Sequence, residues 1–414
     1  MNILLLSLIF NPDNVSTAQI MAALAEDLQK HGHTVRVVTT TPHFHRDPGM
    51  EAAQPLRKWL WKFIQRSDIG PIKVYHIWMP NKSIWPPLRV LSWLWFHAVS
   101  VLLACCLRFR PQAIIACSPP ITIGLAARLI ACLRRAKYIY NVQELYPDIA
   151  VNLGYLRNRF LIRLISAIER SIYRRAAAVT SITPAMCAKI RERTTPDKVV
   201  LIPNFVDVPS RDELAARHAP PHAGLVITYA GNMGVPQNLG LLVEAVKDLE
   251  GVTVRFIGDG GDKKRLLAQA ESLGIAGSKV LFEDYRPLTD MPQIYAESDL
   301  FYVAQAPTAC ADGIPSKIYR ILGNRKPLLA VSAEGSDLAR FVRKTQGGRV
   351  VSDFSAATLA ATIRALAEHP AQLEEMTEQG YRAVAGAFSR KRVTAQYHQL
   401  VRRVAKRRKD EKRA

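Results

Sequence analysis

The residues with the clearest chemical potential stand together in the stretch ADGIPSK. Asp312 and Gly313 lie in a loop, and Ser316 and Lys317 begin a helix in which apolar residues recur at helical spacing. The unpaired N–H groups of a helix start favour an anion, and Ser316 adds a hydroxyl donor and Lys317 a full positive charge. A diphosphate would fit there, with the Asp312 carboxylate beside it to bind sugar hydroxyls. The alternative is an ordinary helix start whose lysine is solvated.

Two glycine-bearing turns upstream, each between a predicted strand and a predicted helix, suit the same kind of ligand. Glycine lets the backbone approach a phosphate closely, and parallel strands end at one edge of a sheet. Three such turns facing one crevice indicate a nucleoside diphosphate. The residues predicted to bind it are Gly231, Asn232, Gly234 and Gln237 in the first turn, Gly258, Asp259 and Gly260 in the second, and Arg286 after a later strand.

The elements that position these residues alternate between strand and helix along most of the chain. An opening strand, a helix from Ser16 or Thr17 and a second strand require a crossover, which indicates a parallel sheet. The segment from Pro42 to Gly70 shows no clear period. The alternation restarts near Asp207 and predicts an α/β fold of two doubly wound units. We expect domains over residues 1–207 and 208–388, followed by a helix and basic tail over 389–414.

Polar residues also follow the predicted strands of the first domain. Gln143 and Glu144 come directly after the strand KYIYNV, at the carboxyl end where α/β sheets bind ligands. The loop after the first strand opens at the same edge, which makes Asn14 and Thr17 candidates for a second substrate. Glu144 has two alternative roles without chemistry, as a helix cap or as the partner of a nearby arginine.

The net charge of +21 in 414 residues predicts an anionic partner: nucleic acid, an anionic membrane face or an anionic small molecule. No basic element with interleaved aromatic residues is evident, which disfavours nucleic acid. The six cysteines lack the spacing of metal ligands. Most lie in apolar runs, which indicates reduced core residues of a cytosolic protein.

Two segments are candidates for contact with a membrane. The run from Leu88 to Leu107 is rich in tryptophan but contains Arg89 and His97, so a core helix or a membrane-surface helix is favoured over a span. The tail RRVAKRRKDEKRA suits anionic lipid, with a solvated, frayed end as the alternative. The apolar N-terminus predicts a buried strand rather than a signal peptide.

With these motifs in view, the chain resembles a glycosyltransferase of family 4, the retaining type with two Rossmann-like domains known as GT-B. The resemblance covers nearly the whole chain and is carried by HGHTVRVVT, CSPPITIGLAA, NVQELYPDIAVNLGYL, KVVLIPNFVD, YAGNMGVPQNLGLLVEAV, FIGDGG and GIPSKIYRILGNRKPLL. The GNMGxxQ and PSK motifs point to enzymes of exopolysaccharide, capsule and O-antigen synthesis. These include the colanic-acid fucosyltransferase and N-acetylfucosamine transferase types.

The resemblance implies that the C-terminal domain binds a UDP-, GDP- or other nucleoside-diphosphate sugar across a cleft from the N-terminal domain, to which the last helix returns. Asn232 and Gln237 stand where many relatives place an arginine and a lysine on the diphosphate, and Lys317 is the candidate substitute. Asp312 fits the acid that holds sugar hydroxyls. Arg320 replaces the acid that usually holds the ribose, which leaves the identity of the nucleotide open.

The activity so implied is transfer of a sugar, with retention, to a lipid-linked polyprenyl-diphosphate glycan at the inner face of the cytoplasmic membrane. Glu144, Asp312 and Lys317 are the expected catalytic residues. No Asp-x-Asp motif occurs, in agreement with a metal-independent enzyme. Two alternatives share the fold: an epimerase of nucleotide sugars, and a membrane-associated scaffold that has lost catalysis.

Overall fold

The structure is a computed structural model that describes residues 1–44, 46–59, 63–80, 86–152, 154–217, 222–310 and 313–410. The chain divides into two compact units, one formed by residues 1–204 with the helix that begins at Arg390, the other by residues 205–389. Each unit contains a sheet of mainly parallel strands with helices between them. This confirms the predicted fold class of two doubly wound α/β units.

In the described part of the first unit, nine strands form one sheet in the order β3-β4-β5-β2-β1-β6-β7-β8-β9. The strands are β1 (Asn2–Ser7), β2 (Thr34–Thr40), β3 (Arg57–Lys58), β4 (Ile64–Ile69), β5 (Ile72–Ile77), β6 (Ala113–Cys117), β7 (Lys137–Val142), β8 (Ala178–Ser181) and β9 (Val199–Leu201). The helices are α1 (Ser16–Lys30), α2 (Pro48–Ala53), α3 (Pro86–Cys106), α4 (Ile123–Leu133), α5 (Asp148–Asn152), α6 (Arg159–Arg175) and α7 (Pro184–Arg193).

The central strands of this sheet are apolar and buried because helices cover both faces. In β6, AIIAC, every residue is buried, and its parallel pairing with β1 places Ala113 beside Ile3 and Cys117 beside Ser7. The helices α3, α4 and α6 pack side by side, whereas α1 contacts the C-terminal helix. Because β1, β6 and β7 are parallel neighbours in the sheet, their carboxyl ends lie next to one another.

The segment from Pro42 to Gly70 contains regular structure that its sequence pattern did not indicate. Asp47 caps α2 by accepting hydrogen bonds from the backbone N–H groups of Gly49 and Met50. The strand β4 pairs antiparallel with β5, and β3 pairs with β4 at the edge of the sheet. The sequence IQRSDI of β4 has no strict alternation of buried and exposed residues, so the usual period of two is missing.

The start of α1 also corrects the prediction from sequence. Ser16 is already helical, so neither Ser16 nor Thr17 is the cap; Val15 stands at the N-cap position and has no side-chain cap. Asn14 instead ties the loop to the helix. Its Oδ1 atom accepts from the Gln19 side chain at 3.0 Å, and its amide donates to Asp47 at 3.0 Å.

The cysteines divide between core and surface. All six are free thiols, and Cys117 and Cys187 are buried as predicted. Cys106 and Cys132 are exposed, on α3 and α4 respectively. The apolar runs that suggested a core position for these two belong to helices with an exposed apolar face.

In the second unit, the described residues form a six-stranded parallel sheet in the order β12-β11-β10-β13-β14-β15. Its strands are β10 (Leu225–Ala230), β11 (Val252–Ile257), β12 (Val280–Glu283), β13 (Leu300–Ala304), β14 (Leu328–Val331) and β15 (Gly348–Val351). Its helices are α8 (Arg211–Ala215), α9 (Gly240–Val246), α10 (Lys263–Ser272), α11 (Met291–Ala296), α12 (Lys317–Gly323), α13 (Asp337–Thr345), α14 (Ala356–Glu368) and α15 (Pro370–Ala387).

The last helix, α16 (Arg390–Asp410), belongs to the first unit. Arg390 anchors it: the guanidinium donates to both carboxylate oxygens of Asp27, at 2.7 and 2.8 Å, and to Glu26 at 2.7 Å. Burial alone would raise the pKa of Asp27, but the hydrogen bonds and charge of Arg390, with Thr394 and Lys30, hold it below its ordinary value. The buried carboxylate therefore fixes the start of α16 on α1.

We expect Arg390→Met to lower the free energy of unfolding by about 3 kcal/mol, because it leaves the Asp27 charge buried without its main partner. Lys30 contacts the same carboxylate at 3.6 Å from an exposed position. Lys30→Met should therefore cost less than about 0.5 kcal/mol. Urea denaturation of both variants tests this, and equal losses would contradict the assigned anchor.

Candidate functional site

A cavity of about 200 Å³ opens in the second unit where β10 and β13 end. Tyr229 of β10 and Gln237 of the loop that follows form one side. Gln305 and Gly313, from the segment after β13, and Lys317, the first residue of α12, form the other. Because β10 and β13 are parallel neighbours, their loops open at the same edge of the sheet.

Lys317 is held in this cavity by its ammonium group. The Nζ atom donates to the Ala230 carbonyl oxygen at 3.1 Å and lies 4.0 Å from the centre of the Tyr229 ring, in a cation–π contact. Burial lowers the pKa of Lys317 to about 8. Both of these contacts are with uncharged groups, so the ammonium charge would attract an anion that enters the cavity.

Gly231 makes room for this lysine. Its φ is +139°, a conformation that favours glycine, and a Cβ atom added there would lie 3.0 Å from the Lys317 Nζ atom. The glycine turn after β10 and the lysine of α12 therefore belong to one site, although Gly231 and Lys317 are 86 residues apart in the sequence.

The second glycine turn supports the first. The backbone N–H groups of Gly231 and Met233 donate to the carbonyl oxygens of Ile257 and Asp259, at 2.9 and 2.8 Å. A Cβ atom on Gly258 would lie 2.3 Å from the Gly231 carbonyl oxygen, far inside any real contact distance. The FIGDGG turn thus sets the path of the YAGNMG turn, and Asp259 contributes through its backbone.

The polar residues of the first turn have different positions. Gln237 lines the cavity, and its Oε1 atom accepts from the Gly234 backbone N–H at 3.0 Å. Asn232 is exposed, and its carbonyl oxygen accepts from the Tyr229 hydroxyl at 2.6 Å. The structure therefore brings Gly231 and Gln237 to the cavity of Lys317, holds Gly234 against Gln237 and leaves the Asn232 side chain at the surface.

The remaining predicted residues of this domain divide into three groups. Asp312 lies outside the described residues. Ser316 stands at the N-cap position of α12 without a side-chain cap, and the helix has only seven residues, so Lys317 rather than a long helix dipole supplies the positive charge. Arg286 faces Glu283 and Glu297 at 3.4 and 3.9 Å, and Arg320 lies on α12; neither lines the cavity.

Two residues that line the cavity, Tyr229 and Gln305, were not predicted from the sequence. Tyr229 supplies the ring beneath Lys317. Gln305, buried at the carboxyl end of β13, donates to the Gly313 carbonyl oxygen at 3.0 Å and accepts from the Ser332 hydroxyl at 2.9 Å. The position of Gln305 directly after a buried parallel strand is the sequence signal that could have indicated a site residue.

In the first unit, Glu144 lies at the carboxyl edge of the sheet. The Tyr146 hydroxyl hydrogen-bonds to the Glu144 carboxylate, and burial followed by the charge of Glu144 raises the pKa of this phenol. Burial also raises the pKa of Cys117, at the end of β6, to about 12, and the charge of Glu144 adds to that effect. The carboxylate is therefore partly buried and stands over the ends of neighbouring strands.

The other residues predicted for a second substrate serve the loops themselves. The Gln143 amide donates to Asn141 at 2.8 Å and accepts from Asn204 at 3.0 Å. Asn14 bridges Gln19 and Asp47, and Thr17 is in the first turn of α1. Glu144 and Tyr146, by contrast, place a carboxylate and a phenol hydroxyl in a hydrogen bond at this edge of the sheet.

Comparison with known proteins identifies both halves of the chain. Residues 17–204 match the family described as "Glycosyl transferase 4-like domain", and residues 224–369 match "Glycosyl transferases group 1". The chain is 26% identical over 340 residues to the putative colanic acid biosynthesis glycosyl transferase WcaI of Escherichia coli K12, covering 78% of this chain and 81% of the relative. It is 26% identical over 287 residues to the lipopolysaccharide core biosynthesis glycosyltransferase LpsD of Rhizobium meliloti, covering 64% and 78%.

Solved structures share the fold at lower identity. HepE of Anabaena, crystallised in complex with UDP, superimposes with a TM-score of 0.69 at 15% identity, over 97% of this chain and 99% of that one. WaaG, a glycosyltransferase involved in lipopolysaccharide biosynthesis, gives a TM-score of 0.66 at 14% identity, over 96% and 99%. The two family matches, the relatives and this fold agree: the chain belongs to the glycosyltransferases that have the GT-B fold.

Proposed function

We propose that the protein transfers a sugar, with retention of anomeric configuration, from a nucleoside-diphosphate sugar to a lipid-linked glycan of a bacterial surface polysaccharide. The observation that carries the donor half of this proposal is the position of Lys317. Its ammonium group lines a cavity at the carboxyl edge of the sheet, beside the glycine turn after β10. That is where a diphosphate would be bound in an open α/β sheet.

The chemistry follows from the charges that develop during transfer. Breaking the bond between the anomeric carbon and the phosphate oxygen leaves negative charge on the nucleoside diphosphate and positive charge on the sugar ring. The Lys317 ammonium would stabilise the first, as fixed donors do wherever charge appears in a transition state. We assign Asp312 to the sugar hydroxyls. Because Lys317 supplies a cation, we expect EDTA to leave turnover unchanged.

The acceptor would be bound at the carboxyl edge of the first sheet, where Glu144 and Tyr146 form a hydrogen-bonded pair. In a retaining transfer, the departing phosphate takes the proton of the acceptor hydroxyl on the same face of the sugar. Glu144 would then orient that hydroxyl and assist its deprotonation. In the second unit, the donor would also be bound by Gly231, Gly234, Gln237 and Gly313.

The comparisons support the choice of substrates. HepE was crystallised with UDP, which makes UDP-sugars the first donors to test. The relatives named for colanic acid and lipopolysaccharide core biosynthesis support a glycan acceptor of the cell surface. Such glycans are built on lipid carriers, so we place the protein on the inner face of the cytoplasmic membrane.

A turnover screen of nucleotide sugars with a short polyprenyl-diphosphate glycan as acceptor tests this function. We expect one donor to give a lengthened glycolipid whose new linkage keeps the anomeric configuration of the donor, measured by NMR coupling constants. An isomer of the nucleotide sugar formed without acceptor would instead identify an epimerase. The absence of any turnover across the screen would contradict the proposed activity.

A further inference from the structure

We propose that the outer face of three adjacent helices in the first unit, α3, α4 and α6, binds the surface of an anionic lipid bilayer. This inference deepens the proposed function, because its link to the acceptor rests on a lipid-linked substrate. Large apolar side chains are exposed on all three helices. They are Leu88, Val90, Leu91, Leu94, Trp95 and Leu102 on α3, Leu125, Leu129 and Leu133 on α4, and Phe160, Leu161 and Leu164 on α6.

These side chains form rows rather than scattered positions. On α4, Leu125, Leu129 and Leu133 are spaced by four residues, so they stand above one another along one face. Leu102 is 59% exposed and Phe160 is 73% exposed. Because α3 packs on α4 and α4 packs on α6, the rows join into one apolar surface. Contiguous apolar surfaces of this kind mark interaction sites.

The helix α3 does not need to cross a membrane to make this contact. From Leu88 to Cys106 it is long and apolar enough for a span by composition. Its opposite face, however, packs into the core of the unit through Phe96, Val99 and Leu103. His97 on that face hydrogen-bonds to the Thr122 hydroxyl at 2.7 Å, and burial lowers its pKa to about 4. The helix therefore offers one face to the protein and the other to the bilayer surface.

The charges on these helices are complementary to anionic lipid. Among the residues of α3, α4 and α6, Glu169 is the one carboxylate, and it is buried in an ion pair with Arg193 at 2.8 Å. Exposed arginines stand beside the apolar rows of α6, at Arg163, Arg170 and Arg174. A second copy of this chain across a two-fold axis would bring arginines against arginines, which disfavours a dimer through this face.

A basic groove adjoins the end of the apolar surface. Leu133, the last residue of the α4 row, lines a groove of about 820 Å³. Its cationic side chains are Arg110, Arg134 and Arg135 together with Arg402 and Lys406 of α16. Lipid phosphates fit such a groove while the neighbouring leucines enter the interfacial region. The C-terminal helix therefore adds charge to the same surface.

The other end of this surface approaches the proposed acceptor site. Arg89, in the first turn of α3, is close enough for its charge to act on the Tyr146 phenol, which hydrogen-bonds to Glu144. A glycan on a lipid carrier would then reach Glu144 from the membrane plane.

The test compares binding of the intact protein to vesicles of pure phosphatidylcholine and to vesicles with added phosphatidylglycerol, by flotation. We expect binding to the anionic vesicles. Replacing the α4 row (L125S, L129S and L133S together) should reduce it about tenfold or more. Changing Arg163, Arg170 and Arg174 to glutamine should reduce it about a hundredfold and only on anionic vesicles. The matched control removes exposed apolar side chains elsewhere (L201S, L267S and Y285S) and should bind as the wild type does.

Equal binding of the α4 variant and the control would overturn the inference, as would a wild-type dimer in light scattering that the α4 variant abolishes. Calorimetry with UDP keeps this result separate from the proposed function. If the α4 variant no longer binds vesicles but keeps the UDP affinity and melting temperature of the wild type, the result supports the proposed bilayer-binding surface. If the wild type binds vesicles but neither UDP nor any other nucleoside diphosphate, the donor proposal fails while the bilayer surface stands.

Discussion

Lys317→Met should lower kcat/KM by about a hundredfold or more and weaken binding of the nucleoside diphosphate at the same time. The ammonium group lies in the cavity 3.1 Å from the Ala230 carbonyl oxygen and over the Tyr229 ring. Methionine fills a similar volume without the charge, so the cavity keeps its shape. Steady-state kinetics with the donor found in the screen, together with calorimetry of UDP, measure both quantities.

Lys326→Met is the matched control for this change. Lys326 follows α12, and burial lowers its pKa as well, but it lies outside the cavity. We expect its kcat/KM to remain within about twofold of wild type, because the Lys326 ammonium group does not line the cavity in which the diphosphate would be bound. Loss of turnover in Lys317→Met with unchanged nucleotide affinity would remove this lysine from the diphosphate site.

Gly258→Ala should lower the free energy of unfolding by about 3 kcal/mol and abolish donor binding. Gly258 has a φ of +133°, and a Cβ atom there would lie 2.3 Å from the carbonyl oxygen of Gly231. Either the backbone of Gly258 or the turn that faces Lys317 must move to relieve this overlap. Urea denaturation and UDP calorimetry report the two consequences separately.

Gly261→Ala, three residues further along, provides the comparison. Its φ is not in the left-handed region, and no atom lies within 4 Å of the added Cβ position. We expect its free energy of unfolding to be within about 0.5 kcal/mol of the wild-type value and its UDP affinity to be unchanged. If both alanine variants behaved alike, the close approach of the two glycine turns would not be what shapes the site.

The sequence was sufficient for the architecture because its signals were local. Apolar runs such as AIIAC, each followed by a helical pattern, predict buried parallel strands with crossovers, and the structure has β6 and α4 at those places. The edge strand β3 and its neighbour β4 were missed because they are rich in polar residues and β4 lacks a period of two. The cap of α1 was wrong because the loop before it is organised by Asn14 rather than by a hydroxyl group.

The site was predictable in its backbone and only partly in its side chains. Glycine positions mark where the backbone can approach closely, so the sequence predicts that both glycine turns open at one edge of the sheet. The direct approach of Gly258 to Gly231 is seen only in the structure. Two side-chain contacts could not be predicted, because they depend on how the loops at this edge of the sheet fold together. They are the contact of Lys317 with the Tyr229 ring and the hydrogen bond from Gln305 to Gly313. The exposure of the α4 leucines could not be predicted either, because an apolar helix has the same sequence pattern whether its outer face is covered or open to solvent.

Proton uptake on nucleotide binding tests the central claim, that the Lys317 ammonium faces the donor diphosphate. Burial lowers the pKa of free Lys317 to about 8, and a bound diphosphate would raise it again. The bound state therefore holds more protons than the free state above pH 8, so UDP affinity should fall as the pH rises, by up to about tenfold per pH unit.

Calorimetry of UDP binding at about pH 9, in two buffers of different ionisation enthalpy, counts the protons directly. We predict uptake of close to one proton by the wild type and almost none by Lys317→Met. The same uptake in both proteins, or none in the wild type despite tight binding, would contradict the claim.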